Sequence, residues 1–322
     1  MRRRSFTAAL GTATLGAAAF ASPALAQAWP SKQLKVIVPY PPGGPSDVSA
    51  RIVLDRAAQI LGQTALFDNK AGASGMIGAE FVKNAPVDNH TFLLTTTAMV
   101  TITRHLQPIP FEPEKDFLPV SRLTTSWGAM AVNPSVPANT LAEFVAYAKA
   151  NPGKVNFGSS GMATITHLFG EMLMHEAAIK LTHVPYRGSA PALNAVLANE
   201  VQVQFDQLTL PHIKAGKLRG LAMLAEVRHA DFPEIPTLRE GGYGKDGGDS
   251  WFGILAPAGT SADAIDRLDK AIAQALKSSD IMEKVHNGGM RVTYLNPADF
   301  KARIASENQM FGNIIRQANI KI

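Results

Sequence analysis

The chain contains no cysteine. That excludes a disulfide framework, thiolate metal sites and a lipid-bearing cysteine behind a leader. Charge of either sign is scarce, at 18% of residues against 46% hydrophobic, a balance that suits a globular protein with a sizeable core. Long apolar runs are missing too: beyond the N-terminal segment no stretch approaches the roughly 18 residues needed to cross a membrane. The formal net charge of +5 weakens on inspection. Three of the 31 Lys+Arg residues precede Gln27 and none of the 26 Asp+Glu do, which leaves 28 against 26, a net +2. A charge that small gives a nucleic-acid role no support.

The N-terminus has its own pattern. Arg2, Arg3 and Arg4 precede the apolar stretch Ala8–Ala21, and Ala24-Leu25-Ala26 forms a small-x-small cleavage site. This is the layout of a secretory signal peptide over residues 1–26, with a mature chain from Gln27. Arg3-Arg4-Ser5-Phe6 also fits the core of a twin-arginine signal, and general secretion fits equally well. The expected location is the periplasm.

The stretch that organises the rest runs from Leu34 to Gly62. Leu34-Lys35-Val36-Ile37-Val38 reads as a buried strand, and Ala50, Val53, Leu54, Ala57 and Leu61 recur at helical spacing. Between them lies Tyr40-Pro41-Pro42-Gly43-Gly44-Pro45-Ser46-Asp47, with Ser46 or Asp47 as the expected N-cap. A strand, a Gly-Gly turn and a helix start favour an anion, because unpaired N–H groups and the positive end of the helix dipole meet there. The same logic repeats at Val155-Asn156-Phe157, Gly158-Ser159-Ser160-Gly161 and a helix over 164–178. Two such cradles in separate halves predict one ligand gripped from both sides.

Strand and helix alternate along the rest of the chain, which predicts an α/β fold with largely parallel strands. Further strands are expected at 64–68, 91–97, 127–132, 181–186, 201–205, 218–224 and 251–256. Helices are expected at 76–83, 141–150, 190–198, 261–277 and 297–318, the fifth-listed region being the longest and the fourth opened by a capping box, Thr260-x-x-Asp263. Segments 126–132 and 250–257 read as two crossings between domains. This gives domain 1 as 27–126 and 251–322 and domain 2 as 127–250. Gly241–Gly248 is too glycine-rich for a regular element, and Trp251 reads as hinge packing.

Enzyme motifs nearly form and fail. Gly158-Ser159-Ser160-Gly161 lacks the G-x-S-x-G elbow, His175-Glu176 has its next histidine only at His183, and Gly244-Lys245 is followed by aspartate where a P-loop needs Ser or Thr. No nucleophile–base pair, cofactor motif or metal-ligand spacing stands out, so no enzyme is expected and a periplasmic hydrolase is a distant alternative. The remaining candidates are polar, mostly uncharged and glycine-rich: Tyr40, Pro42, Gly43, Gly44, Ser46, Asp47, Thr96, Thr97, Ser159, Ser160, Gly161, Thr164, Tyr186 and Asp206. Amides and hydroxyls of this kind can hold a carboxylate in a dry cleft without lysine or arginine. Among them Asp47 reads more as a cap than as a ligand contact, and Asp206 more as the holder of a neighbouring loop.

Taken in order, several motifs carry a family resemblance over the whole chain from about Trp29. They are Pro39–Asp47 with Ala50-Arg51, Phe157–Gly161 with His167-Leu168, Val184-Pro185-Tyr186-Arg187-Gly188, Phe205-Asp206, Pro233-x-x-Pro236-Thr237, and Pro257-Ala258-Gly259-Thr260. The chain resembles the tripartite tricarboxylate transporter receptors, the Bug family of periplasmic solute-binding proteins. The resemblance implies a two-domain, hinged type II periplasmic binding fold, each domain a mostly parallel sheet flanked by helices. It also implies a small organic carboxylate between the loops 40–47 and 159–164, and membrane permease subunits, or a sensor protein in an orphan receptor, as partners. Two departures stand out: Asp88-Asn89-His90-Thr91 replaces the family's D-G-Y-T turn, and Arg187 replaces a lysine, with a consequence expected for pocket charge.

Overall fold

Two sheets with helices packed on them emerge in the computed structural model, which describes residues 29–225, 227–244, 250–317 and 320. The leader expected over 1–26 and the glycine-rich residues 245–249 lie outside the described residues. The chain opens with β1 (Leu34–Val38), α1 (Pro45–Ile60), β2 (Ala65–Asn69), α2 (Met76–Asn84) and β3 (Thr91–Thr96). A π-helical turn at Ala98–Ile102 leads into the short α3 (Thr103–Leu106) and α4 (Pro113–Asp116), then the ten-residue β4 (Phe117–Ser126). The second sheet follows as β5 (Ala129–Val132), α5 (Leu141–Ala150), β6 (Asn156–Ser159), α6 (Ile165–Ala177), β7 (Thr182–Pro185), α7 (Ser189–Leu197), β8 (Val203–Asp206), α8 (Leu210–Lys214) and β9 (Arg219–Met223). The chain then returns through β10 (Trp251–Pro257), α9 (Ala262–Ala275), α10 (Ser279–Asn287), β11 (Met290–Leu295) and α11 (Pro297–Gln317).

Strand order is β11-β4-β10-β3-β1-β2 in one sheet and β7-β6-β8-β5-β9 in the other. The sheets are mixed, which corrects the expectation of mostly parallel strands. β1 runs parallel to β2 and β3, and β6 to β7 and β8. In contrast β10 runs against both β3 and β4, β11 against β4, and β5 against β8 and β9. Parallel neighbours require a crossover connection, which the βα units supply. The strands that carry the chain between sheets, β4 into β5 and β9 towards β10, have no such helix and pair antiparallel.

Local sequence explains most boundaries. On α1 the residues Ala50, Val53, Leu54 and Ala57 are fully buried, and they share a core cluster with Leu268, Ala271 and Ile272 of α9. The helix starts two or three residues earlier than expected. Gly44 is its N-cap and Pro45 takes the first turn, so neither Ser46 nor Asp47 caps it. Proline suits this position because its φ is already helical and its missing N–H would be unpaired there anyway. Likewise α9 is capped by Ser261, which accepts from the Ala264 amide, whereas Thr260 turns back to the Pro257 carbonyl.

Besides the short α3, α4 and α8, three elements had no counterpart among the expected ones. β4 mixes Pro119, Ser121, Arg122, Thr124 and Thr125 with apolar residues, and its polar side chains are buried and paired rather than alternating outward: Ser121 donates to Asp269, and Arg122 to Thr125 and Thr293. The amphipathic α10 buries only Ile281 and Val285, and β11 is a half-exposed edge. α11 links the two halves. Phe300 and Ile304 pack with Trp251 in the first half, whereas Phe311 and Ile315 join Met130, Phe144 and Phe169 in the second. Trp251 is fully buried; its Nε1 donates to Glu307 at 2.6 Å and its ring meets Phe300 edge-on.

Gly253 on β10 lies under Phe300, where a Cβ would come within 2.4 Å of Phe300 Cζ and 3.0 Å of the Ser121 carbonyl. Gly253→Ala is therefore expected to lower stability by about 1–3 kcal/mol through overpacking. Urea unfolding checks this, and an unchanged midpoint would mean that the ring slides aside without loss.

Candidate functional site

A cleft lies between the two sheets. The first half contributes Tyr40, Pro45, Ser46, Thr96, Ala98, Ser126, Ser250 and Phe252 to its wall; the second contributes Gly128, Ser160, Thr164, Ile165, Thr166, Phe169, Ser189, Phe205, Asp206, Gln207 and Leu224. The N-termini of three helices reach this wall: α1 through Pro45 and Ser46, α6 through Thr164, Ile165 and Thr166, and α7 through Ser189. The first amides of a helix have no partner within it, and each helix start carries about half a positive charge. Among the described lining residues there is no lysine, arginine or histidine. Arg187, the departure singled out in the sequence, is exposed and outside the wall.

The first loop is held in shape by Asp47. Its carboxylate accepts the Gly43 amide at 3.0 Å, Arg51 Nε at 2.9 Å and Asn69 Nδ2 at 2.9 Å, while Asn69 also donates to the Tyr40 carbonyl. Burial pushes the Asp47 carboxyl up, but the hydrogen bonds from Arg51, Gly43 and Asn69 outweigh it and hold the group below the usual carboxylate range. Tyr40 reaches the other way, its hydroxyl within 3.2 Å of the Ser74 carbonyl and of Thr96 Oγ1. Ser74 in turn donates to the Met162 carbonyl and Thr103 to the Ala163 carbonyl, so the two halves touch across the cleft. Gln207 Nε2 donates to the Gly288 carbonyl at 3.3 Å on another side.

The second loop is tied by its own hydroxyls. Thr164 caps α6 by accepting from the His167 amide, and Thr166 Oγ1 accepts the Ser160 amide at 2.9 Å. Ser159 Oγ takes the Gly161 amide and lies 2.6 Å from His183 Nε2. This serine–histidine contact is no exposed nucleophile, because Ser159 is fully buried. His183 stacks on His167 at 4.0 Å between ring centroids and on Phe157 at 4.7 Å. Burial, reinforced by neighbouring His167, pushes the His183 imidazole down to about 3.

The sequence-derived candidates thus fall into three groups. Tyr40, Ser46, Thr96, Ser160, Thr164 and Asp206 line the cavity, and Pro42 and Gly44 line an adjoining recess that shares Tyr40, Ser46 and Ser160 with it. Gly43, Asp47, Thr97, Ser159, Gly161 and Tyr186 stand in neither wall. Gly43 and Gly161 adopt positive φ, at 78° and 139°, with their amides directed to Asp47 and Ser159. Thr97 Oγ1 accepts the Trp251 amide at 2.9 Å, and the Tyr186 ring packs over Gly158. Asp206 caps the turn after β8: its oxygens accept the Leu208 amide at 2.9 Å and the Ser189 hydroxyl at 2.6 Å, and burial raises its carboxyl. The walls formed by Phe169, Phe205, Leu224, Phe252, Ser189 and Gln207 lie outside the sequence-derived candidates. Ser189, just past Gly188 at a helix start, was the one with a usable signal.

Removing the Asp47 carboxylate leaves three donors without their acceptor, so Asp47→Ala is expected to cost about 1–3 kcal/mol. Urea unfolding measures the loss, and faster hydrogen exchange at the Gly43 amide would locate it. The depressed His183 gives folding a pH signature. Between its ordinary value near 6.5 and the folded value of about 3 the unfolded chain binds the extra proton, so stability falls as pH drops through that window. A His183→Gln variant is expected to flatten the slope of melting temperature between pH 6.5 and 4.5; an unaltered slope would remove this residue from the account.

The chain matches the family described as the tripartite tricarboxylate transporter family receptor over residues 49–320. It is 31% identical to the protein BugT of Bordetella pertussis over 312 residues, 96% of each chain. A protein of Rhodopseudomonas palustris solved with adipate superposes with a TM-score of 0.87 at 29% identity, covering 91% of this chain and 99% of that one. MatC of Rhodopseudomonas palustris, solved with bound malate, gives a TM-score of 0.83 at 27% identity, covering 89% and 100%. Mixed sheets flanked by helices, the order of the motifs and the extent of these matches lead to one conclusion: the chain belongs to the tripartite tricarboxylate transporter receptor family of periplasmic solute-binding proteins.

Proposed function

We propose that this protein is a periplasmic receptor that captures a small organic carboxylate and presents it to the membrane permease subunits of a tripartite tricarboxylate-type transporter. The observation that carries the reading is the convergence of three helix N-termini and a ring of hydroxyls on one interdomain cavity whose described wall has no cationic side chain. Such a wall stabilises a carboxylate through amide dipoles and charge-assisted hydrogen bonds. The adipate and malate held by related receptors support the ligand class.

In this reading domain 1 comprises 27–126 and 251–322 and domain 2 comprises 127–250, a division supported by which strands each sheet contains. Ligand favours the closed arrangement only by fitting it better than the open one. No step changes the ligand chemically. The 1–26 leader delivers the chain to the periplasm.

A thermal-shift series with organic acids and their primary amides tests the proposal. A ligand that binds only the native state stabilises it by RT ln(1 + [L]/Kd), about 2.7 kcal/mol at a hundredfold excess over Kd. At least one acid is expected to raise the melting temperature while its amide does not. Equal shifts from acid and amide, or none from any acid, would overturn the carboxylate reading.

A further inference from the structure

Resting on the receptor reading, we infer that Ser74 is a latch: its hydroxyl holds the two halves together over bound ligand without touching that ligand, and so sets how long the ligand stays. Ser74 stands in the wall of neither the cavity nor the adjoining recess. Its Oγ donates to the Met162 carbonyl at 2.5 Å, and Thr103 Oγ1 donates to the next carbonyl, that of Ala163, at 3.3 Å. These two carbonyls immediately precede Thr164, the cap of α6 and part of the cavity wall. On its other side the Ser74 carbonyl accepts the Tyr40 hydroxyl at 3.2 Å, and that hydroxyl also lies 3.2 Å from Thr96 Oγ1. Tyr40 and Thr96 both line the cavity. One residue outside the cavity thus joins the wall of the first half to a helix start of the second.

The backbone at this contact runs against local preference on both sides. Six non-glycine residues among those described have a positive φ. Two are Asn89 and Asn199, of a type that tolerates it, and Ala178 closes α6. The other three are Ala73 at 46°, Ser74 at 56° and Ala163 at 57°, and all three lie where the two loops meet. Left-handed backbone is unfavourable for any residue with a Cβ and persists where surrounding contacts over-determine it. The approach is also close: a Cβ on Gly161 would come within 3.3 Å of Ser74 Oγ. Glycine at 74 would relieve the backbone and lose the hydroxyl. When the halves separate, that hydroxyl turns to water, so its gain is modest and belongs to the closed arrangement alone. Ligand leaves only after the contact has broken, which puts the effect on the dissociation rate.

Two variants separate the hydroxyl from the backbone. Ser74→Ala removes the hydroxyl and keeps the strained φ, whereas Ser74→Gly removes the hydroxyl and relieves the strain, so the glycine variant is expected to melt above the alanine one. The probe is whichever of adipate, malate, citrate, glutamate and benzoate raises the melting temperature of the unaltered protein most. Its association and dissociation are followed by stopped-flow tryptophan fluorescence. Dissociation is expected to be roughly three- to tenfold faster in both variants, with association within about twofold of the unaltered protein. A purely structural role would instead make dissociation follow the melting temperatures. That outcome, or an unchanged dissociation rate in either variant, overturns the latch and leaves the carboxylate receptor standing. If none of the five acids shifts the melting temperature, the receptor reading fails and the latch fails with it.

Discussion

A single buried carboxylate sets the geometry on which the cleft depends. Asp47 gathers the Gly43 amide, Asn69 and Arg51 into one cluster, and in doing so fixes the loop that joins β1 to α1. The loop has two glycines and three prolines, and without the clasp it would have no internal reason to hold one shape. The clasp has an electrostatic effect as well. The charge of Arg51 on α1 is neutralised by Asp47, while its guanidinium stacks over Phe67 at 4.7 Å. The helix start is left as the source of positive potential on that side.

The second half reaches the same end with different parts. Its loop is held by hydroxyls and imidazoles rather than by an ion pair: Ser159 with His183, Thr166 with the Ser160 amide, Thr164 with the helix start. Neutral ties of this kind keep side-chain charge out of the cleft from both directions. What remains is a cavity whose electrostatics come from backbone dipoles, fixed in place when the chain folds, with no long flexible side chains to order on binding.

Much of this was legible in the sequence, for physical reasons that can be named. α1, α5 and α6 declared themselves because each buries one face against a core, and that face has the period of its element, whereas β1 did so as an apolar run buried on both faces. The Gly-Gly and Gly-Ser-Ser-Gly turns were visible because few residues tolerate such backbone. The failures share a cause. β4 hides its strand character because its buried polar side chains are paired with partners over a hundred residues away, Ser121 with Asp269 and Arg122 with Thr293. Mixed strand direction was illegible because it depends on where the chain re-enters a sheet, which no local pattern records. In the cavity, Phe169, Phe205 and Phe252 read as core residues on their own strands and helix, and only the meeting of two halves turns them into a wall. The caps shifted because Gly44-Pro45-Ser46 and Thr260-Ser261 each offer a second solution within two residues.

The place of β10 sets the order in which the molecule can be finished. This strand fills the gap between β3 and β4 in the first sheet, yet it is supplied by residues 251–257, long after both neighbours have been synthesised. Until it arrives, β3 and β4 each lack the partner that will cover one edge, and α1 lacks the α9 surface on which it packs. The N-terminal segment therefore has no complete sheet to fold into on its own. Folding of the first half must wait for the last quarter of the chain, and the early segment spends that time with open edges, the condition in which β-rich chains pair wrongly with one another.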